Sequence, residues 1–147
     1  MTDETIEQQL KRLLPSGLDD IIREHRDELR LALATEAELK ALETAIADAP
    51  ARHRLVKWNV LVLHATAANG QVSSPRLVGR LVDTSESWIT SHVVGIDFEQ
   101  GLVQTKSSLY RISGPRAEEN DIDLLHICAS LHDWGLGARF GVPHFVY

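Results

Sequence analysis

The sequence predicts an α+β fold: an N-terminal layer of about three short helices, an antiparallel sheet of about four strands, and one long C-terminal helix with an extended tail. Three observations predict it. Apolar residues recur at helical spacing as far as Pro50. Runs rich in β-branched and aromatic residues, separated by turn signals, fill residues 51–116. Helical spacing then returns behind an acidic turn in 117–147. Runs of one periodicity followed by runs of another mark segregated helices and strands, not alternating βαβ units. A chain of 147 residues is long enough to bury one self-sufficient core, so 1–147 reads as a single domain.

Thr2 caps the first predicted helix, with Asp3 and Glu4 in its first turn and Lys11 and Arg12 at its end, as the helix dipole favours. Ile6, Leu10 and Leu13 share its face, and “PSG” at 15–17 ends it. The second helix carries Leu18, Ile21, Ile22, Leu29, Ala32 and Leu33 on one stripe, with His25 either packed into it or making it a pH-sensitive interface. Thr35 and Glu38 form a capping box for the third, which continues through Leu39, Leu42 and Ile46 to Pro50. “LVKWNVLVLHATA” reads as a strand covered on both faces, with a helix as the rival reading. “ANGQ” supplies a turn, followed by strands in “RLVGRLVD”, “SWITSHVVGID” and “LVQTKSSLYRI”, the last two joined by a hairpin at “FEQG”. “AEENDIDLLHICASLHDW” is the C-terminal helix, and “GLGARFGVPHFVY” the tail.

Charge is unevenly spread. Residues 1–50 hold 6 Lys+Arg against 12 Asp+Glu, residues 51–116 hold 8 against 4, and residues 117–147 hold 1 against 5, for a net charge of −6. Overall acidity argues against nucleic acid as a partner, because a basic face supplies most of that affinity. The acidic first part fits a protein partner with a basic surface, or simple attraction between the two parts of this chain. Arg52, Arg54 and Lys57 cluster at the handover and read as neutralising nearby acids, with a grip on phosphate as the rival reading. One cysteine excludes an internal disulfide and points to a reducing compartment. The start “MTDETIEQQLKRLL” lacks secretory features, and no apolar run approaches the roughly 20 residues of a membrane span, so a cytoplasmic protein is expected.

The densest group of reactive side chains is “LLHICASLHDWG”. At about 100° per residue, Leu124, Ile127, Cys128, Leu131 and Trp134 fall on one arc. Cys128 therefore belongs to the apolar stripe, and His126 to the opposite face. Cys128 and His132 keep the i, i+4 spacing of a two-ligand metal start, but further ligands must come from elsewhere, so no metal site is assigned. “LVDTSES” is similar to the catalytic loop of aspartic proteases in Asp83 and Thr84, but Ser85 stands where that loop requires glycine. No serine lies in Gly-x-Ser-x-Gly, and no phosphate loop or dinucleotide fingerprint is present. No catalytic residue and no cofactor are implied.

The hairpin “WITSHVVGIDFEQGLVQTKSSLYRISGP” and “WGLGARFGVP” combine a Thr-Ser-x-Val strand with a Val-x-Thr-x-Ser-x-x-Tyr strand. In these features, over about residues 80–143, the chain resembles short bacterial proteins of accessory and prophage regions. The resemblance implies an accessory protein acting in conflict between bacteria or with phage.

These readings lead to a non-enzymatic binding protein of the inhibitor or immunity type that occludes a partner. Asp19, Asp20, Glu24, Asp27, Glu28, Glu36 and Glu43 would form the contact face, with Phe145 and Tyr147 as aromatic anchors. The alternatives are a small hydrolase with an unrecognised Ser/His/Asp site, and a self-associating module whose helical stripes pair between chains, which makes a homo-oligomer possible.

Overall fold

A computed structural model describes residues 15–67 and 70–143. Within them the chain is mostly sheet. The elements are α1 (Leu18–Ile21), β1 (Leu29–Leu33), α2 (Glu36–Leu42), β2 (His53–Ala67), β3 (Gly70–Leu81), β4 (Ser87–Asp97), β5 (Leu102–Thr105), β6 (Leu109–Ile112), a 3-10 turn (Glu119–Asp121) and α3 (Leu124–Asp133). The six strands form one sheet in the order β1-β2-β3-β4-β5-β6, and β2 also pairs with β6. Strands β2 to β6 thus close into a barrel. Each strand of this meander reverses direction, so the first and fifth run the same way. The closing seam, His53–Leu55 against Tyr110–Ile112, is accordingly parallel.

Closure demands strong coiling, which bulges supply. The β2–β3 register slips by one between Val56 and Asn59, leaving Lys57 and Trp58 opposite Gly79. Lys57 takes a left-handed φ of 48° there. A Cβ on Gly79 would lie 3.1 Å from the Val56 carbonyl oxygen and 3.3 Å from the Trp58 Cα, so a bare Cα is what lets the strands approach. The extra residue also exchanges the faces of β2. Leu55 points into the barrel before the bulge; Trp58, Val60 and Val62 do so after it, with Leu77, Val93, Ile96, Val103 and Tyr110. Leu61 and Leu63 turn to the other face, where Leu18, Ile21, Leu31, Ile127, Cys128, Leu131 and Phe140 form a second core. A strand buried on both faces loses the polar alternation of a half-exposed one, hence the apolar run in its sequence. Beyond the barrel, β1, β2 and the start of β3 continue as a three-stranded extension covered by α1, α3 and the tail.

This architecture corrects the predicted one. The first predicted helix lies outside the described residues. The second is helical only over Leu18–Ile21; the chain turns at His25, exposed with φ 53°, and Leu29–Leu33 becomes a strand. Leu29 and Leu33, four residues apart, fit a helical stripe, but with Leu31 between them they also fit a period of two, and five ladder pairs with β2 outweigh weak local helix preference. The third helix has the expected Thr35–Glu38 capping box but stops at Leu42, because the Thr44 N–H donates to the Ile96 carbonyl and the Ile46 N–H to Asp97. Six strands replace four: β1 is new, and “LVQTKSSLYRI” is two strands around a tight turn in which the Ser108 N–H donates to Thr105 Oγ1. The C-terminal helix is ten residues long, begun by Asp123, whose carboxylate accepts from the His126 N–H. No helix of the described residues is long and apolar enough to cross a membrane.

Candidate binding cleft at the barrel seam

A cleft of about 430 Å³ runs along the closed end of the barrel, between residues 49–54 and the β3–β4 turn. Its polar walls are Arg52, Arg54, Asp83, Thr84 and Arg111. The seam explains the arginines. Leu55, Tyr110 and Ile112 point into the barrel, so the alternate residues Arg54 and Arg111 point out. They are also direct partners in the parallel register. Like charges side by side on neighbouring strands are destabilising. Asp48 offsets one of them, with its carboxylate 2.8 Å from Arg111 Nη2, while Arg111 Nη1 donates to the Gln100 carbonyl. Arg54 is exposed and has no carboxylate within ion-pair distance among the described residues.

An aromatic plug gives this end rigidity. His53 meets Trp88 edge-on with ring centroids 4.5 Å apart and stacks on Tyr110 at 6.5 Å. Trp88 Nε1 donates to the Tyr110 hydroxyl, and the Arg52 guanidinium lies over Trp88 at 5.3 Å. The opposite lip is a tight turn: the Ser85 N–H donates to the Leu81 carbonyl, and the Leu81 N–H to that of Glu86. Three arginines and one aspartate thus line the cleft, with the Arg111 guanidinium held by Asp48 and that of Arg52 laid over Trp88. A guanidinium fork suits a planar carboxylate or a phosphate.

The seven acids of the predicted contact face sit on separate segments. Asp19 and Asp20 are on α1, Glu24, Asp27 and Glu28 in the turn before β1, and Glu36 and Glu43 at the two ends of α2. Asp20 accepts from the Ser16 N–H and pairs with Arg23. Glu28 pairs with Arg139 at 2.9 Å, and Glu36 with Arg116 at 3.3 Å. The Asp48–Arg111 and Glu36–Arg116 pairs, with Glu38 at 3.8 Å from His64, tie the acidic first part to the basic middle. Phe145 and Tyr147 lie outside the described residues.

Cys128 is fully buried in α3, and burial pushes its thiol up to about 11. His132 Nε2 lies 3.0 Å from the Val142 carbonyl oxygen. Among the described residues no three His, Cys, Asp or Glu side chains converge as metal ligands would. Asp83, the residue similar to the protease aspartate, is exposed in the β3–β4 turn. A serine–histidine contact does exist, between Ser87 Oγ and His126 Nδ1 at 2.9 Å. Burial holds the His126 imidazole below its ordinary range, Asp123 opposing and Arg80 assisting. The cavity beside the pair is about 10 Å³, the space of roughly one water. The contact ties α3 to the start of β4, and that space is too small for a substrate.

Fold and cleft together define a small closed β-barrel with a helical cover and a cationic groove. Comparison with protein-family models, curated proteins and solved structures finds no match.

Proposed function

We propose that this is a non-enzymatic binding protein that acts by covering a surface of another protein, and that its contact face is the seam cleft. The observation carrying this reading is the Arg54–Arg111 pair: two arginines set side by side by the barrel's closure, of which only Arg111 has a carboxylate partner among the described residues. Retaining such a pair in a cleft walled by Arg52 favours an acidic segment as the ligand. The acids of the predicted face support the same reading, because several already satisfy cations of this chain. A protein segment fits better than nucleic acid, since a chain of net charge −6 repels a polyanion beyond the cleft itself. An occluding role also agrees with the resemblance to accessory proteins of bacterial conflict.

Titration with a short glutamate-rich peptide, followed by tryptophan fluorescence, tests the proposal. Saturable binding that weakens with salt and is lost in Arg54→Ala, but kept in Arg30→Ala on β1, is the expected result. Binding that survives Arg54→Ala, or a preference for a single-stranded oligonucleotide over the peptide, would refute it.

A further inference from the structure

The hydrogen-bond parity of the three-stranded extension exposes a feature independent of the cleft. The Ala34 N–H donates to the Val60 carbonyl and the Thr66 N–H to that of Glu28, so the even-numbered residues 60–66 of β2 direct their peptide groups toward β1. The odd-numbered ones therefore bond to β3, through Leu61↔Arg76, Leu63↔Ser74, Ala65↔Val72 and Ala67↔Gly70. The peptide groups of Gln71, Ser73 and Pro75 are left pointing away from β2. Two facts agree with this assignment. Leu77, next in the series, sends its N–H outward to Thr90 Oγ1 on β4. Pro75, which has no N–H to donate, stands at an outward position, where proline is tolerated.

Among the described residues no strand pairs with this edge, and α2 stands beside its far end, where Ala41 and Leu42 share a cleft with Ser73 and Pro75. The last β3–β4 pair is Arg76↔His92; past it, β4 turns away to pair with β5. The strip from Gly70 to Pro75 contains no charged residue, and Val72 at its middle is 56% exposed. Native edges are ordinarily blunted by charge, bulges or proline. This one has a proline at one end only.

We propose that the β3 edge pairs with the same edge of a second copy, forming a dimer with a continuous sheet. The hydrogen-bond parity fixes the register in which a second copy fits this uncharged edge. Antiparallel pairing of Gln71 with Ser73 of the second copy, and the reverse, is symmetric about Val72. It satisfies the outward N–H and C=O of both residues. It also sets the two Val72 side chains opposite each other in the narrow, non-hydrogen-bonded site, where Cα atoms approach to about 4.5 Å. Two chains of net charge −6 repel, but this strip brings no like charges together. The pairing ends at Pro75.

Sedimentation equilibrium over a concentration series reads the outcome. The unmodified protein should reach twice the chain mass, and Val72→Lys should remain at the single mass with an unchanged circular-dichroism spectrum and melting temperature. Val72→Cys should form a disulfide-linked dimer under mild oxidation, because Cα atoms about 4.5 Å apart can be bridged. The only other cysteine, Cys128, is buried and gives the background. A single-chain mass throughout the series, a Val72→Lys variant that still dimerises, or failure of the Val72→Cys cross-link would overturn the proposal.

Discussion

Replacing Asn59 by alanine tests whether β2 and the segments that follow β1 and β6 are held together by one polar network centred on a buried side chain. Asn59 is 1% exposed. Its Oδ1 accepts from the Val60 N–H at 2.8 Å and from Arg116 Nε at 2.6 Å, and its Nδ2 donates to the Ala117 carbonyl at 2.7 Å. Arg116 in turn reaches the Ala34 carbonyl and Glu36. The alanine variant leaves two neutral groups and one charged group short of a partner. At about 1 kcal/mol for each neutral bond and about 2 for the charged one, the loss is about 4 kcal/mol. For a chain of this size that lowers the melting temperature by roughly 8–16 °C. Glu36→Ala is the control. It removes the outer end of the same network, but its side chain is 91% exposed, so the effect should stay below about 1 kcal/mol. Urea unfolding followed by tryptophan fluorescence gives both numbers, provided the slope against denaturant is unchanged. An Asn59→Ala loss below about 1 kcal/mol, or a Glu36→Ala loss as large, would refute the reasoning.

Three further outcomes follow from the same structure. Gly79→Ala forces a methyl against backbone on both sides of the bulge and should cost about 1–3 kcal/mol in thermal unfolding; a neutral effect would show that the bulge adapts. Burial holds His92 and His126 below their ordinary 6.5, with Lys106 and Arg76 lowering His92 further. The unfolded chain then protonates first as pH falls. Their contribution to stability is intact above about pH 6.5 and is lost below it until the folded imidazoles protonate. The double variant His92→Gln/His126→Gln should flatten this slope, and an unaltered slope would assign it to other groups. Because burial pushes the Cys128 thiol up to about 11, Ellman's reagent should label it only as fast as the protein unfolds; rapid labelling of the native protein at neutral pH would contradict its placement in the core.

Local signals in the chain read well where one kind of contact governed them. “SWITSHVVGID” is the strand β4, the “FEQG” connection is a hairpin, and Thr35 with Glu38 caps a helix, since each depends on neighbours within a few residues. Cys128 falls inside the apolar stripe of α3 because helical geometry alone decides which residues share a face. Residues 18–33 misled for the complementary reason. Their leucines suit two periods, and only the unpaired side of β2 selects the extended one. No local signal marks barrel closure either, as it depends on two register slips in β4 and one in β2. The cleft was hidden for the same cause: Arg54 and Arg111 are far apart in the chain and become neighbours only through the parallel seam.

By itself, the order of residues determined where β4 and its hairpin, the cap of α2 and the apolar face of α3 would fall, because those obey periodicity and short-range hydrogen bonding. Tertiary structure decided that the sheet closes, that the second predicted helix mostly becomes a strand or turn, and that two arginines stand together at the seam. Those outcomes rest on pairing between distant segments, where a single inserted residue exchanges every face that follows it.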